Sequence, residues 1–191
     1  MRVVNIAAVI LAAGASTRLG RPKQNIVLGG ETLVERAIRI ADEALFKPVI
    51  VVARQGAELA DVAAFKGAVV VINHDADEGI ASSIRCGVLA AAQHGVAGIV
   101  LMTCDQPGIE AGHLRRLVED EERITGSAYA GIAGVPAYFP ASSFSVLLEL
   151  RGDTGARALL RNAHSISAPG LELDIDTEQD LEAARQTMER G

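Results

Sequence analysis

Aromatic residues and positive charge are both scarce in this sequence. Only 3% of its 191 residues are aromatic, none is tryptophan, and the formal net charge is −6. Stacking aromatics and a basic surface are the usual means of binding nucleic acids, so the composition argues against that class of protein. Hydrophobic residues make up 49% of the chain, which suits a single domain over residues 1–191 with a substantial core.

Cysteine and long apolar segments are scarce as well. The two cysteines, Cys86 and Cys104, form no C-x-x-C pair, which is typical of a reduced, cytoplasmic protein. Residues 1–13 are similar to a secretory signal, with one positive charge before an apolar run. Cleavage there would remove the first predicted strand, and the run is too short to span a membrane. We therefore expect a cytoplasmic protein without a membrane partner.

Short apolar runs alternate with amphipathic stretches along the first 125 residues. This alternation is typical of an α/β fold with a mostly parallel sheet and crossover helices. The predicted strands are Ile6–Leu11, Val49–Ala53, Val69–Ile72 and Ile99–Met102. The predicted helices follow a capping box at Thr32–Glu35 and cover Ser82–His94 and Gly112–Arg123. Beyond residue 125 we expect strands Ala128–Gly131 and Val135–Phe139, joined through Gly134, and helices over Ser142–Leu150, over Thr154–Asn162 and from Thr177.

A loop of small residues follows the first predicted strand. Gly14, Ser16 and Gly20 leave backbone N–H groups accessible, and Arg18 and Lys23 add positive charge. Backbone donors and cations together suit the oxygens of a polyphosphate. The loop has neither the glycine spacing of the dinucleotide fingerprint nor the Lys–Ser/Thr pair of the Walker loop. The sequence therefore predicts a phosphate-binding loop of another kind.

The segment from Leu11 to Lys23 resembles the signature of the MobA-like nucleotidyltransferases of molybdenum cofactor synthesis, L-A-[AG]-G-x-S-x-R-[ML]-G-x-x-K, at every fixed position. The resemblance implies a three-layer, Rossmann-like nucleotidyltransferase fold with a mixed, mostly parallel central sheet flanked by helices. It implies nucleotide contacts for Leu11, Ala12, Ala13, Gly14, Ser16, Arg18 and Lys23. Arg18 and Lys23 are also implied as catalytic. The start of the loop, Leu-Ala-Ala-Gly, is similar to the cytidylyl branch, since the guanylyl branch tends to have Leu-Ala-Gly-Gly.

Asp105 follows the apolar strand predicted at Ile99–Met102, and Pro107 prevents the strand from continuing. Ligands of open α/β sheets bind at the carboxyl ends of strands, and Mg²⁺ prefers carboxylate oxygens. An aspartate that caps the following turn would explain the position equally well. The resemblance favours the first interpretation, and it implies that Asp105 binds Mg²⁺ and contacts the nucleotide. The resemblance also implies that Gln106 contacts the acceptor substrate.

A second acidic group lies near the end of the chain. Alternation places Asp174 and Asp176 on the same side of an extended segment. The segment resembles the family sequence D-I-D-T-P-E-D, without its proline. The resemblance implies Asp174 as a second metal ligand and leaves Asp176 either as that ligand or on the acceptor side. Asp180 is expected to be a charge in the first turn of the last helix.

A third polar segment, residues 73–87, resembles the family pattern N-x(5)-G-x-x-S-S-[IL]-x-x-G. Gly79, Ser82 and Ser83 come at the start of a predicted helix, where backbone donors suit an anionic ligand. Serines also cap helices without any ligand, so both interpretations stay open, with nucleotide contact favoured. The acidic residues of this segment are interpreted as solvated: Asp75, Asp77 and Glu78.

Two later segments are similar to G-x-x-G-x-P and G-D-x-G-A-R of the same family, at residues 131–136 and 152–157. The resemblance implies acceptor contacts for Gly134, Asp153 and Arg157. A Gly-Asp turn that caps a helix, with an arginine on its surface, would explain the second segment equally well.

These resemblances, taken in order along the chain, imply the molybdenum cofactor cytidylyltransferase branch. The implied reaction is Mg²⁺-dependent transfer of CMP from CTP to the phosphate of molybdopterin, with release of pyrophosphate. The nucleotide would bind to about residues 1–110 and the acceptor to about residues 111–191. A molybdoenzyme of the xanthine dehydrogenase type would be a protein partner. The alternatives are guanylyl transfer from GTP, transfer to a sugar phosphate, a non-catalytic protein that matures molybdoenzymes, and an oxidoreductase. The last has no dinucleotide fingerprint in its support.

Overall fold

The computed structural model describes residues 5–14, 16, 18–56 and 67–190, which form three layers of α/β structure. The strands are β1 (Ile6–Leu11), β2 (Val27–Leu28), β3 (Glu31–Thr32), β4 (Val49–Arg54), β5 (Ala68–Asn73), β6 (Gly98–Thr103), β7 (Thr125–Tyr129), β8 (Ile132–Pro140) and β9 (His164–Ser167). The helices are α1 (Leu33–Glu43), α2 (Ile80–Ala92), α3 (Ala111–Leu117), α4 (Phe144–Leu148), α5 (Arg157–Leu160) and α6 (Glu178–Arg190).

Within the described ranges, seven strands form the central sheet in the order β5-β4-β1-β6-β8-β7-β9. Strands β5, β4, β1 and β6 run parallel, β8 is antiparallel to β6 and to β7, and β9 is parallel to β7. Every residue of β1 is buried, as is expected for a parallel strand that is covered on both faces. The predicted fold class and the four predicted parallel strands are confirmed.

Helices cover both faces of the sheet. Helices α1 and α3 pack on one face, and α2, α4 and α5 contribute to the core on the other. Helix α2 lies very close to β1 because Gly87 has no side chain. A Cβ atom at Gly87 would lie 2.3 Å from Cγ1 of Val9. This close packing fixes the start of α2 at the carboxyl edge of the sheet.

A smaller apolar cluster attaches the end of the chain to the loop after β1. Its buried members are Leu19, Ile26, Leu28, Leu33, Ile175, Leu181 and Ala184. The backbone N–H of Ile175 also donates to the carbonyl oxygen of Asp105 at 2.9 Å. Residues 174–176 are therefore held beside the end of β6. At the start of α6, the backbone N–H of Thr177 donates to Oδ2 of Asp180, and the backbone N–H of Asp180 donates to the hydroxyl of Thr177. These hydrogen bonds confirm the predicted N-cap.

The turn between β7 and β8 was predicted at Gly134 and instead occupies Ala130 and Gly131. Both turn residues have positive φ, +48° and +75°, as two-residue hairpin loops of type I′ require. Gly134 lies within β8, where a Cβ atom would lie 2.5 Å from the hydroxyl oxygen of Tyr129. Its lack of a side chain makes room for that tyrosine rather than for a turn.

Three predicted helices are shorter than their sequence patterns suggest. Helix α3 ends at Leu117 rather than Arg123, because the acidic run after it would place negative charge at a helix C-terminus. Helices α4 and α5 keep only the central parts of their predicted spans. Strand β9 was not predicted, since its residues are largely exposed and show no apolar alternation. None of the helices in the described part of the chain has the length and apolar character needed to cross a bilayer.

Candidate active site

Two adjoining cavities open at the carboxyl edge of the parallel strands. The first cavity, of about 400 Å³, lies against the loop after β1, and the second, of about 350 Å³, lies toward β7 and β8. Four residues line both cavities: Ile80, Thr103, Asp105 and Asp153. Because ligands of open α/β sheets bind at this edge, the two cavities are the candidate active site. Ligands bound in the two cavities would meet beside Asp105.

The loop after β1 forms one wall of the first cavity through Leu11, Ala12, Ala13 and Gly14. Ser16 holds the later part of the loop in place and has a positive φ of +50°. Its hydroxyl oxygen accepts from the backbone N–H of Lys23 at 3.0 Å. Ser16 therefore fixes the position of Lys23, and a nucleotide contact of Ser16 itself stays a prediction.

Lys23 joins two of the predicted carboxylates. Its Nζ lies 2.6 Å from Oδ2 of Asp105 and 2.7 Å from Oδ1 of Asp176, and its side chain is only 15% exposed. Burial alone lowers the pKa of Lys23, but the charges and hydrogen bonds of the two aspartates outweigh burial and raise it above its ordinary value. Arg18 approaches the same cluster from solvent, with Nη1 3.1 Å from Oδ2 of Asp176. The structure thus brings together four residues from three segments that are far apart in the sequence.

Asp174 lines the second cavity and completes the acidic group. Burial and the nearby charge of Asp105 raise the pKa of Asp174 to about 6. Burial, which disfavours the charged carboxylate, is the larger of these two causes, and the nearby Lys23 acts in the opposite direction.

The carboxylates fit a divalent metal that takes further ligands from a substrate. Among the described residues, no group of three His, Cys, Asp or Glu side chains is arranged to hold a metal by itself. Mg²⁺ commonly binds one or two protein carboxylates together with substrate phosphates and water. Asp105 in the shared wall and Asp174 in the second cavity match that requirement in number and chemistry. The predicted metal ligands are therefore compatible with the site.

Residues at the start of α2 form another part of the wall of the first cavity. Gly79 and Ser83 line this cavity, as the predicted nucleotide contacts require, whereas Ser82 does not. The side-chain amide of Asn73 donates to the hydroxyls of both Ser82 and Ser83 at 2.9 Å. Ser82 in turn donates to the carbonyl oxygen of Gly79 at 2.8 Å. Ser82 thus stabilises the start of the helix, and its nucleotide contact stays a prediction.

The acidic residues of the same segment lie at the surface, and two of them are paired with arginines. Asp77 forms an ion pair with Arg54, and Glu78 forms one with Arg85. Asp75, Asp77 and Glu78 are all exposed to solvent, as predicted, and the last two also form ion pairs with arginines.

The second cavity contains the predicted acceptor residues. Gln106, Gly134, Asp153 and Arg157 line it, while Asp176 lies outside its lining with Lys23. The amide of Gln106 donates to the hydroxyl of Tyr129 at 3.2 Å. The side chain of Gln106 is thereby held in the cavity wall.

Sequence reasoning missed two residues of the site, Arg54 and Tyr129. Arg54 ends β4, which lies on the other side of β1 from β6, and lines the first cavity. Its position as a charged residue at the end of an apolar strand was a usable signal. Tyr129 lines the second cavity and donates to the carbonyl oxygen of Val135 at 2.9 Å. The position of Tyr129 depends on the hairpin between β7 and β8, and the turn of that hairpin was predicted at the wrong residue.

The family model of the MobA-like NTP transferase domain matches residues 8–167, and this range includes the glycine loop and Asp105. The chain is a MobA-like NTP transferase. As a family member it is a nucleotidyltransferase, and its sequence resemblance to this family is confirmed.

Several proteins are similar to this MobA-like NTP transferase over most of its length. Purine catabolism protein PucB of Bacillus subtilis is 31% identical over 98% of the chain and 100% of its own length. A probable molybdenum cofactor guanylyltransferase of Opitutus terrae is 29% identical over 82% of the chain and 76% of its own. Nicotine blue oxidoreductase of Paenarthrobacter nicotinovorans is 33% identical over 82% of the chain and 81% of its own.

Among solved structures, Rv0371c from Mycobacterium tuberculosis H37Rv is 32% identical, with a TM-score of 0.83 over 96% of the chain and 99% of that protein. The same protein has been solved as a complex with manganese, with a TM-score of 0.80 and 30% identity over 96% of the chain and 100% of that protein.

Proposed function

We propose that this chain is a Mg²⁺-dependent cytidylyltransferase that transfers CMP from CTP to the terminal phosphate of molybdopterin and releases pyrophosphate. The observation that carries the proposal is the shared wall between the two cavities. There Asp105 is bound by Lys23 at 2.6 Å and faces both a nucleotide-sized cavity and a second cavity of similar volume. A reaction that joins two substrates at a phosphate needs this arrangement.

The first cavity is assigned to CTP. Backbone groups of residues 11–14 and of Gly79 surround the nucleotide, with Ser83 on the opposite wall. The triphosphate lies toward Arg18 and Lys23. Arg54 adds a third cation at the far side of the cavity. This assignment places the nucleotide-binding part in residues of about 1–110.

Asp105 and Asp174 are the residues that would hold Mg²⁺. When bound, the metal neutralises charge on the phosphates. The manganese complex of Rv0371c supports a divalent metal in a protein of similar fold and sequence. The place of Asp105 in the wall shared by the two cavities, with Asp174 in the second, supports the same position in this chain.

The chemical step needs alignment and charge neutralisation rather than a general base. The acceptor phosphate is already a nucleophile, and one of its oxygens forms a bond to the α-phosphorus of CTP. The bond from that phosphorus to the bridging oxygen breaks, and pyrophosphate leaves with the electron pair. Lys23 and Arg18 offset the negative charge that builds on the phosphate oxygens. In the structure their charges are balanced by Asp105 and Asp176, so they exchange carboxylate partners for phosphates when the substrates bind.

The second cavity is assigned to molybdopterin. Arg157 supplies a cation for its phosphate, and Gln106 and Asp153 supply polar contacts in the wall. Gly134 keeps the cavity open beside Tyr129, and Asp176 lies at the Lys23 side. A molybdoenzyme of the xanthine dehydrogenase type is the proposed recipient, and the name of PucB, a purine catabolism protein, supports it.

A second candidate is transfer of GMP from GTP to the same acceptor. The similarity to a probable molybdenum cofactor guanylyltransferase supports this candidate. We favour CTP because Ala13 occupies the position at which the guanylyl branch tends to have glycine.

The proposal is tested by following pyrophosphate release with CTP, GTP, UTP and ATP in turn, with Mg²⁺ and either molybdopterin or a sugar phosphate. We expect release with CTP and molybdopterin, and none without an acceptor. Release with GTP alone would support the second candidate. Release with a sugar phosphate but not with molybdopterin would contradict the assigned acceptor, and release with no pair of substrates would contradict the activity.

A further inference from the structure

Glu78 and Arg85 form an ion pair just outside the two cavities. Nη1 and Nη2 of Arg85 donate to Oε1 and Oε2 of Glu78 at 2.9 and 2.5 Å, in a two-pronged arrangement. Glu78 precedes α2, and Arg85 lies in its second turn. Neither side chain lines either cavity. We refer to these two residues as the clamp.

The clamp binds the backbone of loop 150–155 from two sides. Nη1 of Arg85 donates to the carbonyl oxygen of Leu150 at 2.7 Å. The backbone N–H of Gly152 donates to Oε1 of Glu78 at 3.2 Å. The loop is also tied to the helix directly, because the N–H of Ala81 donates to the carbonyl oxygen of Gly152 at 3.1 Å.

Loop 150–155 and the start of α2 fit together with no space between them. Gly79 has a φ of +121°, and a Cβ atom there would lie 2.5 Å from Oδ1 of Asp153 and from the carbonyl carbon of Gly152. Gly79 lines only the first cavity and Gly155 only the second, while Ile80 at the start of α2 and Asp153 of the loop line both. A shift of either segment would therefore displace the other.

We propose that Glu78 and Arg85 are positioning residues that couple nucleotide binding in the first cavity to acceptor binding in the second. This inference rests on the proposed function, because it presumes two substrates. A nucleotide that settles against the start of α2 fixes loop 150–155 through the clamp, and the acceptor then binds to a loop that is already ordered. By linkage, a bound acceptor strengthens nucleotide binding by the same factor.

The clamp lies at the surface of the protein. The side chains of Glu78 and Arg85 are 35% and 21% exposed, and solvent screens their charges, so we expect the fold to persist when the pair is broken. A clamp that only stabilises the fold would lower the melting temperature when broken and leave the substrates uncoupled. A clamp that positions the loop would change acceptor binding at an unchanged melting temperature.

The test compares Glu78→Gln and Arg85→Lys with wild type, and Glu43→Gln serves as control because Glu43 forms an exposed pair with Arg39 on α1. With Mg²⁺, CTP and molybdopterin, we expect the KM for molybdopterin to rise on the order of 10-fold or more in the clamp variants. Calorimetric CTP affinity without acceptor should stay within about twofold of wild type, as expected for an exposed pair. An equal loss of affinity for CTP and for molybdopterin, or no loss of affinity for either, would overturn the inference.

Amide hydrogen exchange separates this inference from the proposed function. In wild type, CTP with Mg²⁺ should slow exchange both at residues 79–83 and at loop 150–155. In Glu78→Gln, CTP should slow exchange only at residues 79–83. Protection of both segments in that variant would overturn the coupling. If wild type binds CTP but transfers nothing to molybdopterin, the assigned reaction fails while this exchange result still decides the coupling.

Discussion

Nζ of Lys23 lies 2.6 Å from Oδ2 of Asp105, although 82 residues separate the two in the sequence. Lys23 comes from the loop after β1, and Asp105 comes from the end of β6, which is paired with β1 along its whole length. The parallel pairing of these strands therefore builds the centre of the site. Lys23 is assigned to charge neutralisation and Asp105 to metal binding. A variant of each residue therefore gives its own prediction.

Lys23→Ala should reduce kcat by about 10²–10³, because a preorganised charge at a developing oxyanion is worth this much in other enzymes. Arg18→Ala should act in the same direction. Lys47→Ala is the matched control, since Lys47 is exposed and bound to Asp42 on another surface. Initial rates with CTP, Mg²⁺ and molybdopterin measure the effect. Rates close to wild type in both loop variants would contradict their assigned roles.

Asp105→Asn should abolish Mg²⁺-dependent turnover and leave the fold intact, because a neutral amide replaces a charged metal ligand. Asp174→Asn should have the same effect, and Asp176→Asn a smaller one. Calorimetric titration with Mn²⁺ in the presence of CTP measures metal binding apart from turnover. Asp42→Asn, which removes an exposed carboxylate, should leave both unchanged. Full activity of Asp105→Asn with an ordinary Mg²⁺ requirement would disprove the metal assignment.

The parallel half of the fold could be predicted from the sequence because its strands are buried on both faces. The run Ile6–Leu11 is entirely apolar, and its ends were predicted to the residue. The capping box at Thr32 and Glu35 is visible in the sequence and present in the structure. Strand β9 was missed because an edge strand with exposed side chains carries no such pattern.

The candidate site was predictable where one segment carries its own chemistry, as in residues 11–23. It was not predictable where side chains meet across the fold. The bonds of Lys23 to both Asp105 and Asp176 depend on how the segment before α6 packs against the end of β6. The place of Tyr129 in the second cavity depends on a hairpin turn that was predicted three residues too late.

Gly87→Ala should destabilise the protein, because the new methyl group would lie 2.3 Å from Cγ1 of Val9 in a closely packed core. Overpacking of this kind costs about 1–3 kcal/mol. Gly112→Ala is the matched control, since Gly112 is also helical and the nearest atom to a Cβ there would be Nη2 of Arg115, at 4.0 Å. Gly112→Ala should stabilise the protein by about 0.4–1 kcal/mol, because alanine lowers the conformational entropy of the unfolded chain. Urea unfolding of both variants measures the difference, and equal effects would contradict the close contact of α2 with β1.

His113 should make stability depend on pH. Ser127 donates its hydroxyl to the carbonyl oxygen of Pro136, so it accepts from Nε2 of His113 at 2.7 Å, while Arg116 donates to Nδ1. Burial and the charge of Arg116 lower the pKa of His113 in the folded protein.

The unfolded chain then binds a proton that the folded protein does not. The free energy of unfolding should therefore fall as pH drops below about 6.5, the ordinary pKa of histidine. Urea unfolding between pH 8 and pH 5 should show a smaller pH dependence for His113→Gln than for wild type. Parallel curves for the two proteins would contradict the neutral, buried state of His113.

Ala13→Gly should shift the base preference toward GTP. Ala13 lines the first cavity and is 6% exposed, so its methyl group takes up space beside the loop backbone. A pyrimidine can approach this backbone more closely than a purine can, and the glycine variant removes the obstacle. A pocket difference of one methylene is worth about 1–3 kcal/mol, so the ratio of kcat/KM for GTP over CTP should rise by roughly 10-fold or more. Ala12→Gly is the control, because Ala12 lines the same cavity at a position that both branches share. A ratio that stays unchanged in Ala13→Gly would show that contacts to the polar edge of the base, rather than the size of residue 13, determine the choice of nucleotide.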